Sequence, residues 1–195
     1  YIGEFTNVTL DNNRANGTGL PSGGGAIAAY STTLTITNSD ISSNNAGTPS
    51  QSSWGGGIIT SRTDLLIVGS RFDNNVSTGA FNGGEGGAIR VDVSDARTIT
   101  ILNSTFTNNR AGGTGVISAS GYQFQTINFI NSTFAYNQSV GFQSGVIQLN
   151  VPGVLNVINT TMVENTGSYF GAGAISIQNC PACGGTQITA NIINS

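Results

Sequence analysis

Asn103 to Asn109 reads NSTFTNN, and 28 residues further on Asn131 to Asn137 reads NSTFAYN. Working outward, the pattern Asn-(Ser/Thr/Val)-x-apolar-x-x-Asn recurs as NVTLDNN (7–13), NSDISSN (38–44) and NTTMVEN (159–165). GSRFDNN (69–75) carries Gly at the first position, and Asn194-Ser195 opens a further copy. Successive copies lie 31, 31, 34, 28 and 28 residues apart. A second motif falls between them: GGGAI (23–27), GGGII (55–59), GGAI (86–89), GVI (115–117), GVI (145–147) and GAI (173–175). Short β-type runs precede the Asn motif: LTIT (34–37), LLIV (65–68), ITIL (99–102), INFI (127–130) and LNVI (155–158). A repeat of this length is one supersecondary unit that buries its apolar face only by stacking on its neighbours. Helical periodicity is absent.

The expected fold is therefore all-β, a right-handed parallel β-helix (a solenoid) of about six coils of 28–34 residues. At a strand spacing of about 4.8 Å the rod would be roughly 29 Å long. Leu10, Ile41, Phe72, Phe106, Phe134 and Met162 would form one inner column. The Asn three residues later (13, 44, 75, 109, 137, 165) would form a second. That Asn would take left-handed geometry at the bend and hydrogen-bond to its copies along the axis. The chain reads as one β-helix domain over residues 1–195. Because it opens and closes inside a repeat, it is expected to be a piece of a longer β-helix or a subunit that stacks end to end.

Composition narrows the function. The 195 residues include 28 Gly and are 37% hydrophobic, which suits a narrow core. The Ile, Val and Thr content and a net charge of only −3 argue against disorder. Nucleic acid is an unsuitable partner, since the six Arg are scattered and there is no Lys. No apolar run approaches a membrane span, so no transmembrane segment is expected in this chain.

Without His or Lys, no activated Ser or Cys nucleophile can be assembled within the chain. Walker and calcium-loop patterns are missing too, so neither a cofactor nor a metal is expected. Cys180 and Cys183 form a CxxC that lacks the further ligands of a zinc site. A local disulfide in an oxidising compartment is the expectation for that pair.

GGAI at Gly24–Ile27 and Gly86–Ile89, with FxxN at Phe72–Asn75, Phe106–Asn109 and Phe134–Asn137, resembles the GGA(I/L/V) and FxxN repeats of the chlamydial polymorphic membrane proteins. Other bacterial surface proteins share that repeat. The resemblance implies a secreted β-helix, the passenger of an autotransporter or part of an anchored surface protein, with adhesion as its role. It supplies no catalytic residues.

Three sets of residues are candidates for binding. Counting three residues on from the Ile of each Gly motif gives Tyr30, Arg62, Asp92, Ser120, Asn150 and Gln178. This places Arg62 beside Asp92, with Arg90, Asp64 and Asp95 near, either as a small site for a sugar or sugar acid or as a surface ion pair. The residue before each repeat Asn should face outward, which makes a stripe of Thr37, Val68, Leu102, Ile130, Ile158 and Ile193. An apolar stripe of that kind is unusual on a soluble surface. It is read either as a partner surface or as a face covered by another segment. The loops carry Leu20, Trp54, Phe81, Phe142, Tyr169 and Phe170; Trp54, Tyr169 and Phe170 are candidates for stacking on a ligand.

Sequons at Asn16, Asn75 and Asn137 are glycosylation candidates. Those at Asn7, Asn103, Asn131 and Asn159 fall on the first Asn of the repeat, which is expected to be needed by a bend too buried to modify.

The expected function is a non-catalytic scaffold at the cell surface or outside the cell, serving adhesion, surface architecture or assembly. Its partners would be a protein or glycan, or further copies joined laterally or end to end. A carbohydrate-active or glycan-binding β-helix is the alternative. Ice binding is a lower one, because Leu66, Asn128 and Asn156 interrupt the Thr column that begins with Thr35 and Thr100.

Overall fold

A computed structural model describes residues 1–17, 22–48, 53–77, 79, 83–141, 143–169, 171–178 and 188–194. Every strand pair in it is parallel and joins one coil to the next, as expected of a right-handed parallel β-helix. Sheet A has seven strands, Ile2–Thr6, Thr33–Thr37, Asp64–Val68, Arg97–Leu102, Gln125–Ile130, Gly153–Ile158 and Ile188–Ile193. Each coil then bends into a three-residue strand of sheet B, such as Thr105–Thr107, and a two-residue strand of sheet C, such as Arg110–Ala111. A loop leads to sheet D, whose strands follow the Gly motifs: Ile27–Tyr30, Ile58–Ser61, Ile89–Val93, Ile117–Gly121, Ile147–Asn150 and Ile175–Ile177.

The inner column forms as the sequence indicates. Leu10, Ile41, Phe72, Phe106, Phe134 and Met162 are direct register partners. The rings of Phe72, Phe106 and Phe134 stack with centroids 4.6 and 5.0 Å apart. That spacing is the strand spacing itself, so each coil sets its aromatic flat on the last.

Two bends divide the labour of the Asn motif. At the A-to-B bend the first residue is left-handed, with φ from 48° to 57° at Asn7, Asn38, Gly69, Asn103, Asn131 and Asn159. Gly replaces Asn there without cost because it, too, tolerates positive φ. The following Ser39, Ser70, Ser104 and Ser132 turn inward. Each Oγ accepts from the main-chain N–H one coil back (3.1–3.2 Å) and donates to the carbonyl two residues earlier (2.8–2.9 Å).

At the B-to-C bend the left-handed residue is Asn12, Ser43, Asn74, Asn108, Tyr136 or Glu164, one place earlier than expected. The column of Asn13, Asn44, Asn75, Asn109, Asn137 and Asn165 is instead the amide ladder. Each Oδ1 from Asn44 onward accepts from both the N–H and the Nδ2 of the Asn one coil back, at 2.9–3.1 Å. Each Nδ2 from Asn44 onward also donates to a carbonyl of the preceding coil, as Asn109 does to Phe72 at 3.0 Å.

The Gly motif closes the coil. Gly24, Gly55 and Gly86 have φ of 64–66°. The next glycine has another reason. A Cβ on Gly87 would lie 2.2 Å from the carbonyl oxygen of Gly115 and 2.7 Å from the main chain of Arg110. The backbones of sheet C and the Gly segment touch there with no side chain between them. The later copies keep this second glycine (115, 145, 173) and replace the first by Thr114, Ser144 or Ala172.

The register of sheet D corrects one expectation. Ile27 pairs with Ile58 and Ile58 with Ile89, so Ile59 belongs to the opposite face. A one-residue slip exchanges the faces of a strand. Ser61, not Arg62, is therefore the partner of Asp92. Arg62 sits in the bend beyond, exposed, at φ 51°. Cys180, Cys183, Phe170, Leu20, Phe81 and Phe142 lie outside the described residues.

Asn109→Ala would orphan the N–H of Asn75, leave one of the two Nδ2 hydrogens of Asn75 unpaired and remove a donor from the Phe72 carbonyl. At about 1–3 kcal/mol for each buried orphan, a loss of at least about 3 kcal/mol is expected by urea denaturation. Asn103→Gly, at an exposed left-handed position, should change stability by less than about 0.5 kcal/mol. Gly87→Ala should cost about 2–3 kcal/mol through overpacking against main chain that cannot swing aside.

Candidate functional site

The early coils carry an extra layer that the later ones lack. Twelve residues separate Asn44 from Gly56 and Asn75 from Gly87, but only six separate Asn109 from Gly115. The longer loops supply Ser22–Gly23 and Ser53–Trp54, which pair in parallel, and Glu85, which bridges to Trp54. This layer lies on the outer face of sheet D. Gly23 presses on the Ile59 side chain, and the Trp54 ring stands 5.1 Å from the Arg90 guanidinium.

Ile59 and Arg90 are consequently buried although they point away from the core. Arg90 forms an ion pair with Glu85, donates to Ser118 Oγ at 2.9 Å and donates to Ser120 Oγ. Ser118 Oγ donates in turn to Glu85 Oε2 at 3.2 Å. The guanidinium thus fastens the loop layer to two successive strands of sheet D. Its charge is spent inside the protein, and one face of Trp54 is spent on it.

The expected grouping of Arg62, Arg90 and Asp92 is therefore not brought together: Arg90 is buried beneath Trp54, and Arg62 is in the bend. Asp64 and Asp95 belong to a different cluster, where Arg97 reaches them at 3.4 and 3.2 Å. Arg71 likewise bridges Asp40 (3.0 Å) and Asp73 (2.5 Å) on the outside of sheet B. What Asp92 does adjoin is a shallow depression of about 350 Å³, lined also by Ser120, Gly121, Tyr122 and Asn150. Tyr122 is 69% exposed and Phe124, on the same turn, 44%. Sequence reasoning missed both. Their signal was an aromatic pair inside the polar run Ser118–Gln125, which no repeat motif requires.

The outer face of sheet A carries the stripe as expected. Thr37, Val68, Leu102, Ile130, Ile158 and Ile193 are consecutive register partners. The first five are partly exposed and Ile193 is exposed. The next outward column reads Thr35, Leu66, Thr100, Asn128, Asn156 and Asn191. Its amides bond to one another along the axis: Asn128 to Thr100 at 3.2 Å, Asn156 to Asn128 and Asn191 to Asn156 at 2.8 Å. Two of the residues that looked like interruptions of a Thr array, Asn128 and Asn156, are thus part of an external ladder of their own, while Leu66 stands exposed in the column. Tyr169, at 83% exposure, stands well into solvent at the C-terminal end of the described coils.

Except at Asn16, the sequons divide opposite to expectation. Asn75 and Asn137 have no exposed surface, and their amides are fixed in the inner ladder. Asn16 is exposed, and so are Asn7, Asn103, Asn131 and Asn159 at the A-to-B bend. Among the described residues, no group of His, Cys, Asp and Glu has the arrangement of a metal site. No helix among them is long and apolar enough to cross a membrane.

The family profile described as right handed beta helix region matches residues 1–146. No curated protein and no solved structure matches the chain.

Removing Glu85 tests the fastening role of Arg90. Glu85→Ala leaves a buried guanidinium with hydroxyl partners alone and should cost about 3 kcal/mol. The double variant Glu85→Gln/Arg90→Met should recover part of that loss in thermal or urea unfolding. Arg71→Ala, which removes an exposed network, should cost at most about 1 kcal/mol.

Proposed function

This chain belongs to the right-handed β-helix family, and on that scaffold we propose a non-catalytic protein of the cell exterior that serves adhesion and surface architecture. The single observation that carries the reading is the continuous, partly exposed column Val68–Leu102–Ile130–Ile158 on the widest sheet. The fold does not require it. Polar side chains there would keep every backbone hydrogen bond and every core contact. Burying the remaining surface of each Leu or Ile against a partner is worth at most about 1 kcal/mol, about a third of the value for a fully exposed side chain. The flanking Asn ladder ties the later coils to one another beside that face, which lowers the ordering cost of contact.

The GGAI and FxxN repeats support the same reading through their likeness to bacterial surface proteins. Placement outside the cell is part of the proposal, with a protein, a glycan or a further copy of the chain as partner. The acids support a non-catalytic role. Asp40, Asp73, Asp64, Asp95 and Glu85 are all held by arginines, whereas a glycosidase needs two carboxyl groups facing each other across an open cleft.

The test is display of the chain on a bacterial cell through an outer-membrane anchor, with clumping and attachment to a hydrophobic surface as readouts. Displayed wild type should promote both, and the double variant Leu102→Arg/Ile130→Arg should return both to the level of the anchor alone. Equal behaviour of variant and wild type would remove the stripe from the function. Release of new reducing ends from polygalacturonate or alginate by the purified chain would overturn the non-catalytic reading.

A further inference from the structure

The depression at the exit of sheet D has a composition that its surroundings do not explain. Along the outer column, Tyr30, Ser61, Asp92, Ser120 and Asn150 are consecutive register partners. They set polar groups at the strand spacing of about 4.8 Å. Asp92 differs from the acids near it. Asp64, Asp95 and Glu85 are paired with arginines, while Asp92 forms no ion pair or hydrogen bond among the described residues. Asn150 Oδ1 accepts from Gln148 Nε2 at 3.3 Å, which turns its own amide N–H groups free. Ser120 Oγ, whose lone pair is taken by Arg90, keeps its hydroxyl proton to donate. Beside these groups stands Tyr122, 69% exposed, on the rim of the same depression.

From this arrangement we infer that the depression is a binding site for a neutral pyranose unit of a glycan. The chemistry is complementary group by group. A sugar ring presents an apolar C–H face, which packs on an aromatic ring, and a rim of hydroxyls that both donate and accept. Asp92 supplies two acceptor oxygens that suit a pair of neighbouring hydroxyls, and Asn150 and Ser120 supply donors. The volume of about 350 Å³ lies at the small end of ligand pockets, consistent with one or two sugar units rather than an enclosed ligand.

The charge selects the class. Arg90, two residues before Asp92 on the same strand, is buried and paired with Glu85, and Arg62, in the bend after Ser61, forms no ion pair with Asp92. Asp92 therefore faces the depression as an uncompensated negative charge, and a uronate would meet repulsion. This site lies on another sheet from the apolar stripe and stands or falls independently of it.

The test is a titration of the full chain, followed by amide chemical shifts, with three neutral tetrasaccharides (gluco-, manno- and galacto-configured) and with trigalacturonate. At least one neutral sugar should give saturable shifts centred on Asp92, Ser120, Tyr122 and Asn150. Tyr122→Ala and Asp92→Asn should each weaken that binding at least fivefold, whereas Tyr122→Phe should retain it within twofold. Unchanged shifts elsewhere in the spectra of these surface variants would show that they remain folded. No saturable shift with any neutral sugar, shifts centred on another surface, or tighter binding of trigalacturonate would each overturn the assignment.

Discussion

The buried amide ladder is the constraint from which the rest of the structure follows. A carboxamide inside a narrow core is tolerated only when all its hydrogen-bonding groups are met. From Asn44 to Asn137 they are met by the copies one coil on either side and by the main chain at the bend. That solution exists only if successive coils superpose closely. The ladder therefore dictates where each coil turns, and the turn fixes the strands on both sides of it. The serine ladder at the neighbouring bend applies the same logic with a shorter side chain. Insertions are absorbed elsewhere, in the C-to-D loops and the D-to-A turns, which is why spacings of 28, 31 and 34 residues coexist with unbroken ladders.

Close packing at the glycine column completes the closed section. The core tapers from paired aliphatic columns under sheet A to phenylalanine under sheet B, and finally to bare backbone against backbone at Gly56 and Gly87. A taper of this kind explains a hydrophobic content of 37% in a chain with a well-packed interior. Few large residues suffice because each is used twice, touching the coil before and the coil after.

The inside of the coil was legible in the sequence for that reason. The phenylalanine column, the amide ladder and the outward stripe follow from spacing alone, since stacking forces equivalent residues into register. The errors arose where two neighbouring residues share a chemical type. Asn108 and Asn109 are both Asn, and composition cannot say which is left-handed and which is buried; the copies Tyr136-Asn137 and Glu164-Asn165 contain the answer, because only the second residue is invariant in kind. In the same way, the three glycines of Gly55–Gly57 concealed which isoleucine starts the strand, and the slip moved Arg62 onto the wrong column.

The outside was less legible because stacking does not restrict it. An outward residue has no obligatory partner, so its role depends on what else the chain lays across it. Arg90 shows this most clearly. By position it is a surface residue, and only the long loop bearing Trp54 and Glu85 makes it an internal strut. Where that loop is short, as from Asn109 to Gly115, the same sheet edge is open and polar groups remain available to solvent. Loop length between the amide ladder and the glycine column thus decides, coil by coil, whether the outer face of sheet D is architecture or a surface for recognition. The scaffold holds the coils in register, and variation in one loop sets what each coil presents.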